Sequence, residues 1–276
     1  MKLFNLSGKR CLITGAGGLL GRYHAEAILE AGGSVILTDI NRDSIVSLSN
    51  DLISSLGRLE SERVCWRIMD VTKKESILSA MKSIGPVDIL INNAAKDPKV
   101  NNDGLGQVVN ESRFEMMSLE TWKDGLDVSM NGAFLVTQAV INSMIDNKIE
   151  GVVLNIASDL GVIAPDQRLY KNDGENFEDQ NVKPIFYSAS KWALVGMTKY
   201  LATYFAAKNI RVNSISPGGV FNNHPDNFTK KISNLIPMAR MANVDEYKGA
   251  VIFACSGASS YMTGHNIILD GGRSLW

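Results

Sequence analysis

Three side chains in the second half of the chain have the types and spacing needed for proton transfer to an oxygen atom. Tyr187 and Lys191 are four positions apart in YSASK, so on a helix their Cβ atoms lie about 5–6 Å apart on one face. A free phenol titrates at about pH 10, and a neighbouring cation typically lowers such a pKa by about 1–3 units. The pair therefore predicts a general acid in reduction and a general base in oxidation.

Ser158 follows the apolar run GVVLNIA and is predicted to lie at its end. A hydroxyl there can hydrogen-bond a substrate oxygen and stabilise the charge that develops on it. Tyr170 is the other tyrosine of this region, and no lysine follows it by four positions. A Tyr–Lys pair at helical spacing is also common on protein surfaces, so a catalytic interpretation requires a cofactor site elsewhere in the chain.

A glycine-rich turn near the start of the chain is the candidate cofactor site. The segment TGAGGLLGR, residues 14–22, stands between a predicted strand and a predicted helix. Gly15 permits a tight turn, and Gly17 and Gly18 let the backbone approach a pyrophosphate. Gly21 lets the helix and strand pack closely, and the helix N-terminus offers free N–H groups to the phosphates. Glycines also form ordinary turns, but a strand before and a helix after are the context of a dinucleotide site.

The second predicted strand ends at Asp39, 18 positions beyond Gly21. A carboxylate at this place accepts hydrogen bonds from the adenosine ribose hydroxyls and repels a 2′-phosphate. It therefore predicts NAD, with NADP as the less favoured cofactor. Arg22 and Arg42 are the nearby cations that could contact a 2′-phosphate, and a helix-entry role is the alternative for the carboxylate.

Seven short apolar runs alternate with longer amphipathic stretches along the chain. The runs predict strands at 10–14, 34–39, 64–70, 87–94, 151–157, 210–216 and 265–270. The stretches predict helices at 20–31, 41–56, 73–83, 119–147, 187–208 and 244–256. Strands without polar alternation, separated by helices, indicate a parallel sheet covered on both faces. With right-handed crossovers this is a Rossmann-type, doubly wound α/β fold, a three-layer α/β/α arrangement in one domain, 1–276.

Three long segments interrupt this alternation: 96–117, 159–184 and 219–243. Each follows the predicted carboxyl end of a strand, which is the edge at which doubly wound sheets bind ligands. Long loops in a compact domain are usually functional. We therefore expect the substrate loops to be embedded in the dinucleotide-binding domain.

Composition argues against several other classes of protein. The 276 residues are 45% hydrophobic and 21% charged with a net charge of −1, so the chain has no basic field that would attract nucleic acid. No run of about 18 apolar residues predicts a membrane span, and the first apolar run is too short for a signal peptide, so a cytoplasmic location is expected. The separated cysteines and histidines indicate reduced thiols and no metal site.

A set of short motifs resembles the short-chain dehydrogenase/reductase family from about residue 7 to residue 272. The motifs are TGAGGLLG (14–21), Asp70-Val71, NNAA (92–95), Asn131 in VSMNGAF, Ser158 in LNIAS, YSASK (187–191) and NSISPGG (213–219). Most of them are loose individually, but their joint presence in this order is specific. The resemblance implies an NAD(P)-dependent enzyme that acts on CH–OH groups.

The resemblance also implies a role near the cofactor for each matching position. The adenine contacts are expected at Asp70 and Val71. The wall beside the adenosine ribose is expected at Asn93, Ala94 and Ala95. The loop beside the nicotinamide carboxamide is expected at Pro217, Gly218 and Val220. The predicted set of cofactor contacts is completed by Leu20, Ile40, Tyr187 and Lys191.

Asn131 resembles the asparagine of the family that holds a water molecule against the lysine and completes a proton relay. It is the fourth member of the predicted catalytic group. Members of the family usually pair through two helices, which here are 119–147 and 187–208, so a homodimer or homotetramer is expected.

The glycine turn departs from the pattern of the single-domain branch. Gly15, Gly18 and Gly21 follow the TGxxGxxG spacing of the extended branch, which includes sugar-nucleotide epimerases and dehydratases. Most single-domain members have a glycine at the position of Leu19. Only about 55 residues follow Val220, however, and that length fits the single-domain branch.

The substrate class is predicted from the polar loops. Tyr187 follows Ser158 by 29 positions, more than in many single-domain relatives. The polar residues of the two loops are Asp166, Gln167, Arg168, Tyr170, Lys171 and Asn172, with Lys96, Lys99, Asn101, Asn102 and Arg113. Because a lid for steroids or acyl chains should be mainly apolar, these loops favour a sugar, sugar phosphate or sugar nucleotide. Solvated surface or subunit contacts are the alternative for them.

The segment SDLGVIAPDQRLY also resembles relatives associated with bacterial surface-sugar synthesis. The predicted function is NAD(H)-dependent interconversion of a secondary alcohol and a ketone on a polar small molecule. An epimerase or dehydratase with transient hydride transfer is one alternative, because the glycine spacing matches such enzymes. A non-catalytic NAD-binding sensor on the same fold is another, although sensors commonly lose members of the catalytic group and all four are present here.

Overall fold

The computed structural model describes residues 2–56, 58–97, 112–171 and 174–276. Seven strands form one sheet in the order β3-β2-β1-β4-β5-β6-β7. Their bounds are β1 Arg10–Thr14, β2 Ser34–Asp39, β3 Val64–Ile68, β4 Ile89–Asn92, β5 Val152–Ile156, β6 Arg211–Pro217 and β7 Asn266–Leu269. Every neighbouring pair of these strands is parallel. The strand order reverses between β1 and β4, which is where doubly wound sheets bind ligands.

Helices cover both faces of the sheet. Their bounds are α1 Leu19–Glu30, α2 Arg42–Leu56, α3 Lys74–Ile84, α4 Leu119–Leu126, α5 Gly132–Asp146, α6 Ile185–Phe205, α7 Asp226–Ser233 and α8 Lys248–Cys255. Within β1, Cys11 and Ile13 pack into an apolar cluster with α1, α2 and α8, whereas Leu12 packs into a second cluster with α3, α5 and α6. The alternation follows from the two-residue period of a strand. The predicted three-layer α/β/α fold is confirmed.

The predicted helix 119–147 is interrupted in the structure. A π-helical turn, Asp127–Asn131, separates α4 from α5, and such turns occur frequently at functional sites. The 28-residue helical run is apolar and long enough to span a membrane by composition alone. However, Val136, Val140 and Met144 are fully buried against the sheet. The run is therefore a core helix that covers one face of the sheet.

Helix α7, Asp226–Ser233, was missed by the sequence prediction, because the segment 219–243 was expected to be a loop. The helix has two turns and a single buried side chain, Ile232. Its remaining residues are mostly polar and it has only eight residues, so it is too short and too polar to stand out from a loop in the sequence. The helix packs near the loop 159–184 through Tyr170 and Phe228, whose ring centroids are 5.8 Å apart.

Candidate active site

A cavity of about 590 Å³ lies at the carboxyl ends of the central strands. The glycine turn forms one end of it. Gly15 has φ +61, and a Cβ atom there would lie 2.7 Å from the Cα of Ala94. A Cβ atom at Gly21 would lie 2.6 Å from the carbonyl oxygen of Gly15. Both distances are shorter than a carbon contact allows, so only glycine fits at these two positions.

The N-terminus of α1 opens onto the cavity. Among the described residues, no side chain caps this helix end. A Cβ atom built at the N-cap residue, Gly18, would lie 3.3 Å from the carbonyl oxygen of Gly15. The first N–H groups of the helix therefore remain available to an anion such as a diphosphate. Leu19 and Leu20 line the cavity beside them. Leu19 is 42% exposed, so the backbone does not require a glycine there.

Asp39 ends β2 at the mouth of the cavity. One carboxylate oxygen accepts a hydrogen bond from the N–H of Gly17 at 3.0 Å, and the other accepts one from Asn41 at 2.9 Å. Ile40 is exposed next to it and lines the same wall. Gly17 and Gly21, predicted as cofactor contacts, do not line the cavity. Gly17 donates its N–H to Asp39. Gly21 packs beneath the turn, against Gly15 and Ala16.

Asp70 and Val71, the predicted adenine contacts, line the cavity after β3. One oxygen of the Asp70 carboxylate accepts hydrogen bonds from the backbone and the hydroxyl of Thr72, at 3.0 and 2.7 Å. Burial acts to raise the pKa of Asp70, but these hydrogen bonds and the ammonium of Lys73 outweigh it and hold the pKa below its usual range. The carboxylate is therefore charged and oriented at neutral pH.

Asn93, Ala94 and Ala95 also line the cavity, and they tie β4 to the glycine turn. The side-chain amide of Asn93 donates to the carbonyl oxygens of Gly15 at 2.8 Å and Thr14 at 3.1 Å. The hydroxyl of Thr14 accepts the backbone N–H groups of Asn93 and Ala94 at 3.0 and 3.1 Å. These hydrogen bonds make the turn and the end of β4 one rigid unit.

Ser158, Tyr187 and Lys191 line the other end of the cavity together. Ser158 follows β5 and is 6% exposed. Tyr187 and Lys191 lie in the first turns of α6, and the Lys191 ammonium is 5.6 Å from the centre of the Tyr187 ring. The ammonium also donates to the carbonyl oxygen of Ile156 at 2.8 Å. The structure therefore brings three of the four predicted catalytic side chains to one place.

The electrostatics of this end differ from the sequence prediction. Burial raises the pKa of Tyr187 above its ordinary value, Asp97 and Asp159 raise it further, and hydrogen bonding with Ser158 acts in the opposite direction. The expected lowering by the lysine does not dominate, because burial is the largest effect. Burial also lowers the pKa of Lys191 to about 8, with Asp97 raising it and Lys183 lowering it.

Asn131 is the predicted catalytic residue that the structure does not bring to the others. Its side chain is exposed and donates to the carboxylate of Asp127 at 2.6 Å, one helical turn earlier. Within the same π-helical turn, Val128 lines the cavity instead. Ser129 is the buried residue of the turn, and its hydroxyl accepts the N–H of Lys96 at 3.0 Å. The π-helical turn changes which residues face the sheet, and the sequence carries no clear signal for it.

Pro217, Gly218 and Val220, at the end of β6, line the cavity, and their contact with the nicotinamide carboxamide stays a prediction. A Cβ atom at Gly218 would lie 2.7 Å from the Cα of Asp270, so a close approach to the β7 end requires the glycine. After β6, Val220 forms an isolated parallel β-bridge with Ala242.

The polar loop residues that suggested a sugar substrate lie mostly away from the cavity. Tyr170 lines it, whereas Asp166 and Arg168 pair with each other at 2.7 Å. Arg113 is buried against the Phe177 ring, and Lys96 pairs with Asp124. Four of the predicted residues lie outside the described part of the chain: Lys99, Asn101, Asn102 and Asn172.

Several cavity residues were missed by sequence reasoning. These residues have polar or aromatic side chains and come from segments that are far apart in the sequence: Asp97, Asp159, Lys183, His224, Phe228 and Arg273. Lys183 pairs with Asp97, and Arg273 pairs with Asp159. The partners are 86 and 114 positions apart, so no local pattern could predict either pair.

The fold and this cavity define a class of proteins, the oxidoreductases that bind a nicotinamide dinucleotide on a doubly wound sheet. Comparison with family models gives the same class. A model described as short chain dehydrogenase matches residues 9–170, and one described as enoyl-(acyl carrier protein) reductase matches residues 175–274. The chain belongs to the short-chain dehydrogenase/reductase family, which comprises NAD(P)-dependent oxidoreductases acting on CH–OH groups.

Curated relatives match the chain over nearly its full length. A 3-oxoacyl-(acyl-carrier-protein) reductase of Thermotoga maritima is 30% identical, with 97% of this chain and 98% of the relative covered. A 2-dehydro-3-deoxy-D-gluconate 5-dehydrogenase of Bacillus subtilis is 30% identical, with 98% and 96% covered. An NAD-dependent glycerol dehydrogenase of Listeria innocua is 30% identical, with 99% and 97% covered.

Solved structures show the same fold. A short-chain dehydrogenase from Leptospira borgpetersenii with bound NAD+ has a TM-score of 0.80 and 30% identity, covering 98% of this chain and 94% of that one. A gluconate 5-dehydrogenase from Burkholderia cenocepacia in complex with NADP and tartrate has a TM-score of 0.80 and 25% identity, covering 100% and 98%. The two structures hold different nucleotides, so the comparisons support NAD(P) without distinguishing the two.

Proposed function

We propose that this protein is an NAD(H)-dependent dehydrogenase that interconverts a secondary alcohol and a ketone on a sugar or a sugar derivative. The main support is that Ser158, Tyr187 and Lys191 line the same cavity as the glycine turn and Asp39. A proton-transfer group and a dinucleotide cradle therefore share one space. Within the single domain, the segment 159–184 is the proposed substrate loop, because Tyr170 and Lys183 reach the cavity from it.

The cavity fits the cofactor at its first end. The uncapped start of α1 suits a diphosphate, and its N-cap residue, Gly18, lines the cavity. Asp39 suits the adenosine ribose hydroxyls, because each of its oxygens accepts one backbone N–H and keeps a lone pair toward the cavity mouth. The negative charge disfavours a 2′-phosphate, and this is the basis for proposing NAD rather than NADP.

The chemistry at the second end follows from the protein's own groups. The nicotinamide supplies or accepts the hydride when it is bound. Because burial raises the pKa of Tyr187, its phenol keeps its proton at neutral pH and is the proposed proton donor to a ketone oxygen. The ammonium of Lys191 stabilises the phenolate that remains. Ser158 lies beside them, and its hydroxyl is oriented by a 2.9 Å hydrogen bond to Asp159.

The substrate class is supported by the cavity wall and by two relatives. The cavity wall combines ammonium, guanidinium and carboxylate groups near Tyr187 with apolar side chains such as Ile232 and Met241. The charged groups suit a hydroxylated or acidic substrate better than an acyl chain or a steroid, which needs mainly apolar walls. The 2-dehydro-3-deoxy-D-gluconate 5-dehydrogenase and the glycerol dehydrogenase among the relatives are named for hydroxylated substrates. The 3-oxoacyl reductase among them makes an acyl thioester the second candidate substrate.

A substrate panel tests the proposal. The purified protein is assayed by NADH absorbance with NAD+ or NADP+ and polyols, sugar acids, sugar phosphates and a hydroxysteroid, and in the reverse direction with a 3-oxoacyl thioester. Sugar nucleotides are incubated in parallel, and their products are separated by chromatography. We expect oxidation of at least one hydroxylated compound with NAD+. Activity only on the acyl thioester or on steroids would overturn the substrate class. Sugar-nucleotide conversion without net NADH formation would instead identify the epimerase or dehydratase alternative, and nucleotide binding without any turnover would identify a sensor.

A further inference from the structure

Arg273 reaches the cavity although it lies near the C-terminal end of the sequence. After β7 the chain turns through Gly271 and Gly272, whose φ angles are +66 and +90. The Asp270 carboxylate accepts the N–H groups of Gly272 at 2.9 Å and Ser274 at 2.7 Å, which fixes the turn. The turn returns the Arg273 side chain to the cavity end that holds Tyr187.

The Arg273 guanidinium forms a buried ion pair with Asp159. The Nη1–Oδ2 distance is 2.7 Å, and the two side chains are 7% and 5% exposed. The other oxygen of Asp159 accepts the hydroxyl of Ser158 at 2.9 Å and the N–H of Leu160 at 2.8 Å. A buried ion pair contributes little net stability, because desolvating both charges offsets their attraction. Stability is therefore a poor explanation for a pair that lies beside Ser158.

The ion pair leaves most of the guanidinium donors available. Arginine has five N–H donors, and within the described part of the chain its hydrogen-bond partner is Asp159. Among the described residues, no nitrogen of Arg273 is both fully buried and without a hydrogen-bond partner. Among the described residues, no acceptor is bonded to Nε or Nη2. Because Arg273 lines the cavity, the cavity is where a ligand acceptor for these two donors would lie.

Lys183 adds a second cation to the same end. Its ammonium lies 4.0 Å above the centre of the Tyr187 ring and pairs with Asp97. Among the described residues that line this end, the cations are Lys183, Lys191 and Arg273, and the carboxylates are Asp97 and Asp159. Three positive and two negative groups leave one excess positive charge. Such an excess favours an anionic ligand over a neutral one.

We propose that Arg273, oriented by Asp159, binds an anionic group of the substrate and thereby selects acidic sugar derivatives over neutral polyols. The planar fork of a guanidinium matches the two oxygens of a carboxylate or a phosphate, and Lys183 supplies a second positive charge nearby. This inference rests on the proposed function, since it specifies which hydroxylated compounds the same site accepts. Arg273 is then a specificity-determining residue, with Asp159 as its positioning residue.

Matched pairs of ligands test the charge preference. Calorimetric titration of the enzyme–NADH complex compares D-gluconate with D-glucitol, and D-glucose 6-phosphate with D-glucose. At least one acidic member should bind about tenfold or more tightly than its neutral partner, because a hydrogen bond to a charged group contributes at least that much. The pair that shows the preference tells a carboxylate from a phosphate. Equal binding within both pairs, or no binding by either acid, would overturn the inference.

Substitution assigns the preference to Arg273. In Arg273→Gln the preference should fall to less than about threefold, whereas binding of the neutral partner should stay within about threefold of wild type. Preference that persists in Arg273→Gln overturns the role of Arg273. Arg240→Gln is the matched control, because Arg240 pairs with Glu246 on the surface and lies outside the cavity lining. It removes the same charge and should leave the preference unchanged.

A second variant separates binding from folding. Arg273→Gln leaves Asp159 buried without its cation, which destabilises a protein strongly. The double variant Asp159→Asn/Arg273→Gln removes both charges and keeps a neutral hydrogen-bonding pair. It should melt close to wild type and still lack the preference, and a preference retained in the double variant contradicts the proposal. Turnover of only the neutral partners would refute the charge preference and leave the proposed dehydrogenase function intact.

Discussion

The two ends of the cavity are built in different ways. At the proposed nucleotide end, which the glycine turn and Asp39 form, the groups are backbone atoms and near neighbours in the sheet, such as the N–H of Gly17 on Asp39. At the proposed substrate end, around Tyr187, they are charged side chains from distant segments, such as Arg273 on Asp159. The first end can be recognised from a short stretch of sequence, whereas the second exists only after the chain has folded.

The difference in construction corresponds to a difference in chemistry. The nucleotide end offers fixed dipoles and an ordered carboxylate, which bind and orient a ligand without changing their own charge. The substrate end contains buried titratable groups, and burial moves the pKa of Tyr187 up and that of Lys191 down to about 8. We therefore expect substitutions at the substrate end to change turnover and those at the nucleotide end to change affinity.

The largest expected effect is loss of turnover in Tyr187→Phe. The substitution removes the phenolic proton while keeping the ring, so the protein should fold and bind NADH as wild type does. Turnover should fall by at least about 100-fold, the lower range for loss of a general acid or base. NADH absorbance measures turnover with a substrate from the panel, and NADH fluorescence measures binding.

Tyr200→Phe is the matched control, because Tyr200 lies on the same helix and is 64% exposed. It should have wild-type turnover. If Tyr187→Phe also retained turnover near wild type, the phenol would be removed from the mechanism.

At the nucleotide end, Gly21→Ala should weaken NADH binding without a specific effect on proton transfer. The added Cβ would lie 2.6 Å from the Gly15 oxygen and 2.7 Å from the Ala16 Cα, and both are backbone atoms that cannot move independently. Overpacking of this kind costs about 1–3 kcal/mol, or about 5- to 150-fold in the dissociation constant if the turn yields. NADH fluorescence titration measures the change.

Gly249→Ala provides the comparison, because a Cβ atom there meets nothing within 4 Å. It lies in α8, where alanine is intrinsically better than glycine, so stability should be equal or slightly higher. NADH affinity in Gly21→Ala equal to that in Gly249→Ala would show that the turn is not a tight cradle.

The fold was largely predictable because it depends on local periodicity. Both ends of each of the seven strands were predicted to within two residues. Residues of β1 such as Leu12 and Ile13 alternate between the two faces as the pattern requires. Helix α7 was missed because it is short, mostly polar and buries one side chain, Ile232. The π-helical turn Asp127–Asn131 was missed because one extra residue in a helical turn does not change the amino-acid composition from which the helix was predicted.

The candidate site was predictable only where its residues form motifs. Tyr187 and Lys191 share a helix face, so their spacing alone places them together. Asn131 was assigned on resemblance, and the π-helical turn leaves it exposed and bound to Asp127. Arg273 has no local signal, because its role depends on a turn after β7 and a partner 114 positions away.

A smaller effect is expected for cofactor choice in Asp39→Asn. The substitution keeps hydrogen-bond acceptance by one oxygen but removes the negative charge, so repulsion of a 2′-phosphate should fall. The ratio of kcat/KM for NAD+ to that for NADP+ should decrease by about tenfold, the effect of about 1.4 kcal/mol. Steady-state assays with both nucleotides give the ratio.

Asp43→Asn is the control for that change, because Asp43 lies in the first turn of α2 and outside the cavity lining. An unchanged ratio in Asp39→Asn would show that Asp39 does not set the preference. A wild-type enzyme that already prefers NADP+ would overturn the NAD assignment itself.

The smallest expected effect is a shift of the pH profile at the substrate end. In ketone reduction both Tyr187 and Lys191 act in their protonated forms. Burial raises the pKa of Tyr187, so the phenol keeps its proton well above neutrality, whereas Lys191 loses its proton at about pH 8. The value of kcat/KM for reduction should therefore be constant below about pH 8 and decline above it as the ammonium is lost.

The Lys183–Asp97 pair can move this decline in both directions. Lys183 lowers the pKa of Lys191 by repulsion, and Asp97 raises it by attraction. Lys183→Gln should therefore shift the decline to higher pH and Asp97→Asn to lower pH, each by less than about one unit. The profile of kcat/KM for NADH-dependent reduction measures both shifts. A general loss of packing would shift the pH of the decline in the same direction in both variants. Only opposite shifts therefore support an electrostatic origin, and shifts in a common direction would contradict it.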